Sequence, residues 1–159
     1  MSQFGCYLVF RTARNIMQRW AEHDRYGNLI YMNESFEYDE ESDVLEVFFG
    51  TRRRSWTIEL TPNIMISIDR TAQEVTSLIF LDYSELIRPV AWGVRSFPIT
   101  GLADLPSFER QLVSKLLSTP AVRRWLDLST VENLPDSPFT VTHLQSPPPE
   151  VGNLIFAPA

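Results

Sequence analysis

The chain has 159 residues, 44% of them hydrophobic and 21% charged, with a formal net charge of -6. That length suits one packed core, and the composition is too apolar for disorder of the whole chain. The negative balance disfavours broad binding to phosphate backbones, which needs a basic face to release counterions, and fits a partner that is itself basic.

Cys6 is the only cysteine, so an intramolecular disulfide framework is excluded and a reducing, cytoplasmic setting is expected. The apolar stretch before Arg11 is too short for a signal sequence. No run approaches the roughly 20 apolar residues of a membrane helix. In residues 7–22, Val9, Phe10, Ala13, Ile16, Met17 and Trp20 recur at three and four, which predicts an amphipathic N-terminal helix whose polar face carries Arg11, Arg14 and Arg19.

Residues 34–87 read as an antiparallel β-meander of about five strands. Phe36 and Tyr38 alternate with Glu37, the polar run Asp39 to Asp43 makes a turn, and Val44 to Phe49 is rich in β-formers. A second turn at Gly50 to Arg54 precedes Trp56, Ile58 and Leu60 at period two. Thr61-Pro62-Asn63 separates them from Ile64, Ile66 and Ile68, and Val75 to Leu81 follows. Short turns between consecutive strands predict that each lies beside the next. Pro106 opens a helix bearing Phe108, Leu112, Val113, Leu116 and Leu117, and Val122, Trp125 and Leu126 suggest another, so residues 105–127 form a two-helix cover. Residues 133–159 read as an extended, proline-rich tail with few internal hydrogen bonds, closed by the apolar cluster Leu154, Ile155 and Phe156, which is expected to dock on the body or a neighbouring subunit. The fold class expected is α+β, in one domain of residues 1–159.

The carboxylates of Glu37 to Glu46 imitate a calcium loop, but Val44 stands where that loop needs glycine and Gly50 where it needs its bidentate glutamate. A solvated turn is the better reading. His23 and His143 stand in no metal-ligand spacing, and no nucleophile elbow, phosphate loop or dinucleotide fingerprint occurs. No catalytic, cofactor-binding or metal-binding residue is therefore expected. Arg52, Arg53 and Arg54 make the sharpest charge run, read as a solvated turn or as a patch for phosphate or carboxylate.

The stretch from Phe36 through Val44-Leu45-Glu46-Val47-Phe48, with Ile64 to Asp69 and the closing Leu81-Asp82-Tyr83-Ser84, resembles the domain-of-unknown-function family 2283. Its pattern runs from Tyr-Asp-x-x-x-Asp to an Ile-Leu-Asp-x-Ser end. The resemblance implies a small bacterial β-meander, in some members a partner of toxin-like nucleases. Residues 17–31 look like the opening of small bacterial nuclease-type toxins, without the segment that follows there. The expected function is a non-enzymatic protein-interaction module, antitoxin-like, acting on a small basic toxin or as a homo-oligomer. The alternatives are a small-ligand binder or enzyme assembled only in the fold, and a nucleic-acid contact through the arginine patches.

Overall fold

The computed structural model describes residues 14–23, 29–91, 93, 95–131 and 139–146. The protein is α+β. Among the described residues, six strands form one antiparallel sheet: β1 (Arg14–His23), β2 (Leu29–Asp39), β3 (Val44–Phe49), β4 (Trp56–Thr61), β5 (Ile64–Asp69) and β6 (Glu74–Leu81). The spatial order is β1-β2-β3-β6-β5-β4.

The β2–β3 hairpin follows from its turn chemistry. Asp39 Oδ1 accepts the Glu41 N–H at 3.0 Å, Ser42 Oγ donates to Asp39 Oδ2 at 2.8 Å, and Asp43 takes φ 52° to return the chain. Asp tolerates this left-handed backbone better than most residues, because its short side chain bonds locally.

Two expectations are overturned here. Residues 14–22, expected in an N-terminal helix, lie in β1, in register with β2 from Arg14 opposite Tyr38 to His23 opposite Leu29. A hydrophobic partner strand supplies ladder hydrogen bonds that local spacing does not reveal, and tertiary pairing overrides helical periodicity. Residues 7–13 of that expectation lie outside the described residues. Nor is Gly50 to Arg54 a hairpin turn. It starts the connection that carries the chain from β3, past the ends of β6 and β5, to β4 at the far edge. Three inter-strand steps are about 14 Å, and the six residues between β3 and β4 reach up to about 20 Å when extended. The sheet is thus two three-stranded meanders laid side by side along β3 and β6.

One face of the sheet is the core. Phe36, Leu45, Val47, Leu78, Phe80, Ile66, Ile64, Ile58 and Leu60 lie on it in aligned register, each 5% exposed or less. The cover consists of α1 (Tyr83–Leu86), α2 (Ser107–Leu117) and α3 (Pro120–Arg123), whose Tyr83, Leu86, Leu112, Val113, Leu116, Leu117 and Val122 join the same cluster. Each such side chain contributes about 1.5–3 kcal/mol through removal from water. Pro120 stands in the first turn of α3, where its missing N–H costs nothing. Phe108, expected on the buried stripe of α2, is 67% exposed, since the contact of that helix with the core begins at Leu112.

The chain continues into a second, three-stranded antiparallel sheet of β7 (Phe97–Pro98), β8 (Leu126–Val131) and β9 (Phe139–Leu144), ordered β7-β9-β8. Residues 139–144 of the expected loose tail are therefore hydrogen-bonded sheet. Trp125, immediately before β8, is 2% exposed and sets its ring edge-on to Phe36. Its Nε1–H donates to the carboxylate of Glu34, itself 1% exposed, with Arg124 Nε 3.7 Å from the other oxygen. An acidic residue at the start of the core is thereby held by donors from the helical cover.

Candidate interaction face

The face of the six-stranded sheet opposite the core carries exposed Glu59, half-buried Glu37, Glu46, Met65 and Ile79, and buried Phe48, Ser67 and Ser77. Strand alternation places Glu37, Glu46, Ile79, Met65 and Glu59 on it. The pairings Glu37–Glu46, Glu46–Ile79, Ile79–Met65 and Met65–Glu59 make them one row across five strands. Carboxylates flank a half-buried apolar pair at its centre. The adjoining row is Ser35, Phe48, Ser77, Ser67 and Thr57. Thr57 Oγ1 and Ser67 Oγ are 2.8 Å apart, and Ser77 Oγ donates to Glu46 Oε1 at 3.1 Å.

Two like charges directly opposite each other, such as Glu37 and Glu46, destabilise a sheet. Arg52 answers this by pairing with Glu37 while its guanidinium lies 3.9 Å over the Phe48 ring. The Glu46 carboxyl is held above its ordinary range, chiefly by burial, against the lowering effects of Ser77 and Arg52. The arrangement gives a face with acidic ends and an apolar middle, suited to a complementary surface, and at its β4 edge Thr57 and Glu59 border a shallow concavity of about 360 Å³ shared with Thr100 to Leu105.

Of the expected arginine run, Arg52 is on this face and Arg53 reaches Glu74 and, at 3.7 Å, Asp69, tying the crossing loop to the ends of β5 and β6. Arg54 is exposed. Two of the three are thus neutralised by the protein's own carboxylates, which removes the joint phosphate patch. Arg14 and Arg19 lie in β1, opposite Tyr38 and Asn33, so the shared helical face expected for them with Arg11 does not form. Arg11, Leu154, Ile155 and Phe156 lie outside the described residues. The row Glu46, Ile79, Met65 and Glu59 was missed in the sequence, although its members occupy the polar phase of their strands; what aligns them is the β3–β6 register.

The quoted pattern residues converge elsewhere. Tyr38 donates its hydroxyl to Asp43 Oδ1 at 2.8 Å, the Ser84 N–H donates to both Asp43 oxygens at 3.0 and 3.2 Å, and Ser84 Oγ donates to Oδ2 at 2.6 Å. Asp82, at φ 52°, accepts from Asn63 Nδ2 at 2.8 Å. Every donor is internal, so this is a clasp that fixes α1 to the β2–β3 turn. Burial pushes the Tyr38 phenol up, aided by Asp43.

His143, on β9, has Nδ1 at 3.0 Å from Ser96 Oγ and 3.4 Å from the Arg95 carbonyl. Asp127 is its cross-strand neighbour but forms no ion pair with it among the described residues. The contact fastens the 95–96 segment to β9 and lacks the oriented acid of a hydrolytic triad. Among the described residues, no three His, Cys, Asp or Glu side chains are grouped to hold a metal, and no helix is long and apolar enough to cross a membrane. No protein-family profile, curated protein or solved structure matches the chain.

Proposed function

We propose that this chain is a cytoplasmic protein-interaction module, antitoxin-like, which presents the outer face of its larger sheet to a small basic protein. The observation that carries this reading is the row Glu37-Glu46-Ile79-Met65-Glu59, acidic at both ends and apolar between. The net charge of -6 supports the same sign of partner. The antitoxin-like role extends the expectation raised by residues 34–87 and is part of the same proposal.

The test is purification of the full chain from its own cells at native expression level, with the variant E46K/E59K beside it. A basic protein copurifies with the wild type and is lost from the double variant, whose folding is checked by its thermal midpoint. Recovery of the wild type as a free monomer, or retention of the partner by the double variant, removes this reading.

A further inference from the structure

Away from the outer sheet face, the end of α1 and the end of β9 enclose a cleft of about 90 Å³ whose wall includes Leu86, Ile87, Leu144, Ser146, Arg88 and Arg95. Arg95 is only partly exposed, and its Nε–H is buried with no hydrogen-bond acceptor among the described residues. Leaving a buried guanidinium donor unmet costs more than a neutral one, and native proteins meet nearly all such groups. No carboxylate of the described residues pairs with Arg95, a lack it shares with Arg54, Arg70, Arg110 and Arg123, but of these it alone has a buried side-chain nitrogen without an acceptor. The segment is also held in place from behind, because His143 contacts the Arg95 carbonyl and Ser96 Oγ.

We propose that this cleft binds a small carboxylate with a short apolar tail, its oxygens on Arg95 and Arg88 and its tail on Leu86, Ile87 and Leu144. A guanidinium offers a planar fork of donors that matches a carboxylate, and a second arginine at the rim adds charge. Arg88 already pairs with Glu85 at 2.8 Å, but both side chains are about half exposed or more, at 63% and 47%, so that pair yields readily to a better-placed anion. The apolar wall disfavours a fully hydrated dianion such as phosphate. The volume is far below the roughly 300–1,000 Å³ of drug-sized pockets, which limits the occupant to a few heavy atoms. Either a free short-chain acid or the C-terminal carboxylate of a peptide meets this description. The site is independent of the proposed partner face.

The experiment is titration of the full chain with propionate, N-acetylalanine, N-acetylalaninamide and inorganic phosphate, followed by the amide resonances of Arg95 and Ser146. Saturable binding of propionate or N-acetylalanine is expected, with a dissociation constant on the order of millimolar for so few atoms, and none of the amide. Preference for N-acetylalanine over propionate identifies a peptide terminus, and the reverse a free acid. R95Q weakens binding at least about tenfold and R95K, which keeps charge but loses the fork, by a smaller factor. Should R95Q not fold, R88Q at the exposed rim weakens binding several-fold. No saturation by either carboxylate, tighter binding of phosphate, equal binding of the amide, or undiminished binding by the arginine variants overturns the proposal.

Discussion

The Ser84 N–H and hydroxyl both bond to the carboxylate of Asp43, 41 residues earlier in the chain. Asp43 thus caps the first turn of α1 in place of the residue that precedes it, since Asp82 makes no side-chain cap. Hydrogen bonds to a charged group are worth about 1.5–3 kcal/mol. The D43A variant is expected to lose about 2–3 kcal/mol in urea unfolding, and D43N, which keeps one acceptor oxygen and tolerance of φ 52°, less. Equal stability of D43A and wild type would show that α1 is held by packing alone.

Gly101 lies against the edge of β4, its N–H donating to the Leu60 carbonyl at 3.2 Å. A Cβ there would stand 1.8 Å from the Glu59 carbonyl oxygen, which is backbone and cannot turn aside. G101A must lift the 99–105 loop from the sheet edge, at about 1–3 kcal/mol by the usual cost of overpacking. A thermal midpoint unchanged from wild type would mean that the loop gives no stability.

At Trp125 two effects are separable. W125F keeps most of the buried ring but removes the donor to the Glu34 carboxylate, at about 1–3 kcal/mol. W125A loses the ring too, at about 3–5 kcal/mol. Near-equal losses in chemical denaturation would assign the whole effect to the hydrogen bond, and an unchanged W125F would assign it to packing.

The pH dependence has two limbs. Hydrogen bonds from Ser42 and Glu41 hold Asp39 below its ordinary value, and those from Ala72 and Thr71 do the same for Asp69. Their stabilisation is present above the ordinary Asp value near 4 and is lost as pH falls through their lower folded values. Glu46 opposes them: raised by burial, it favours the fold when protonated and loses that contribution as pH rises through its folded value. E46Q therefore gains on the wild type at neutral pH and converges with it in acid, whereas D39N/D69N flattens the acid limb. On the alkaline side, burial raises the phenols of Tyr38 and Tyr83. Their contribution is full below about pH 10, where unfolded tyrosine ionises, and falls above it. In ultraviolet titration these two of the five tyrosines ionise only as the protein unfolds; ionisation of both in the folded protein near pH 10 contradicts this.

The strands of residues 34–81 were legible because each carries its own alternation and its own turn. Phe36 and Tyr38 before Asp39-to-Asp43, and Ile64, Ile66 and Ile68 after Pro62, are local signals. Strand order was not, because the pairing of Val47 with Leu78 is decided by which apolar faces align after two meanders have formed. β1 was misread because Ile16, Met17 and Trp20 fit a helix as long as β2 is ignored. For the cleft and the face proposed above, no sequence signal joins Arg88 to Arg95, nor Glu46 to Glu59, since each pair is set by backbone geometry between elements. The turn chemistry at Asp43 was visible as a pattern, but its service to Ser84 was not.

The passage of residues 50–55 over the strand ends has a consequence for how the chain can be divided. Each meander is continuous in sequence, and within the larger sheet the two share hydrogen bonds only along β3 and β6. Cleavage at Arg53 would therefore leave two fragments, each with its hairpins intact and each with one exposed apolar edge that only the other satisfies. Such fragments are suited to reassociate when mixed, because the seam, the Asp43–Ser84 clasp and the Trp125–Glu34 contact all join one to the other.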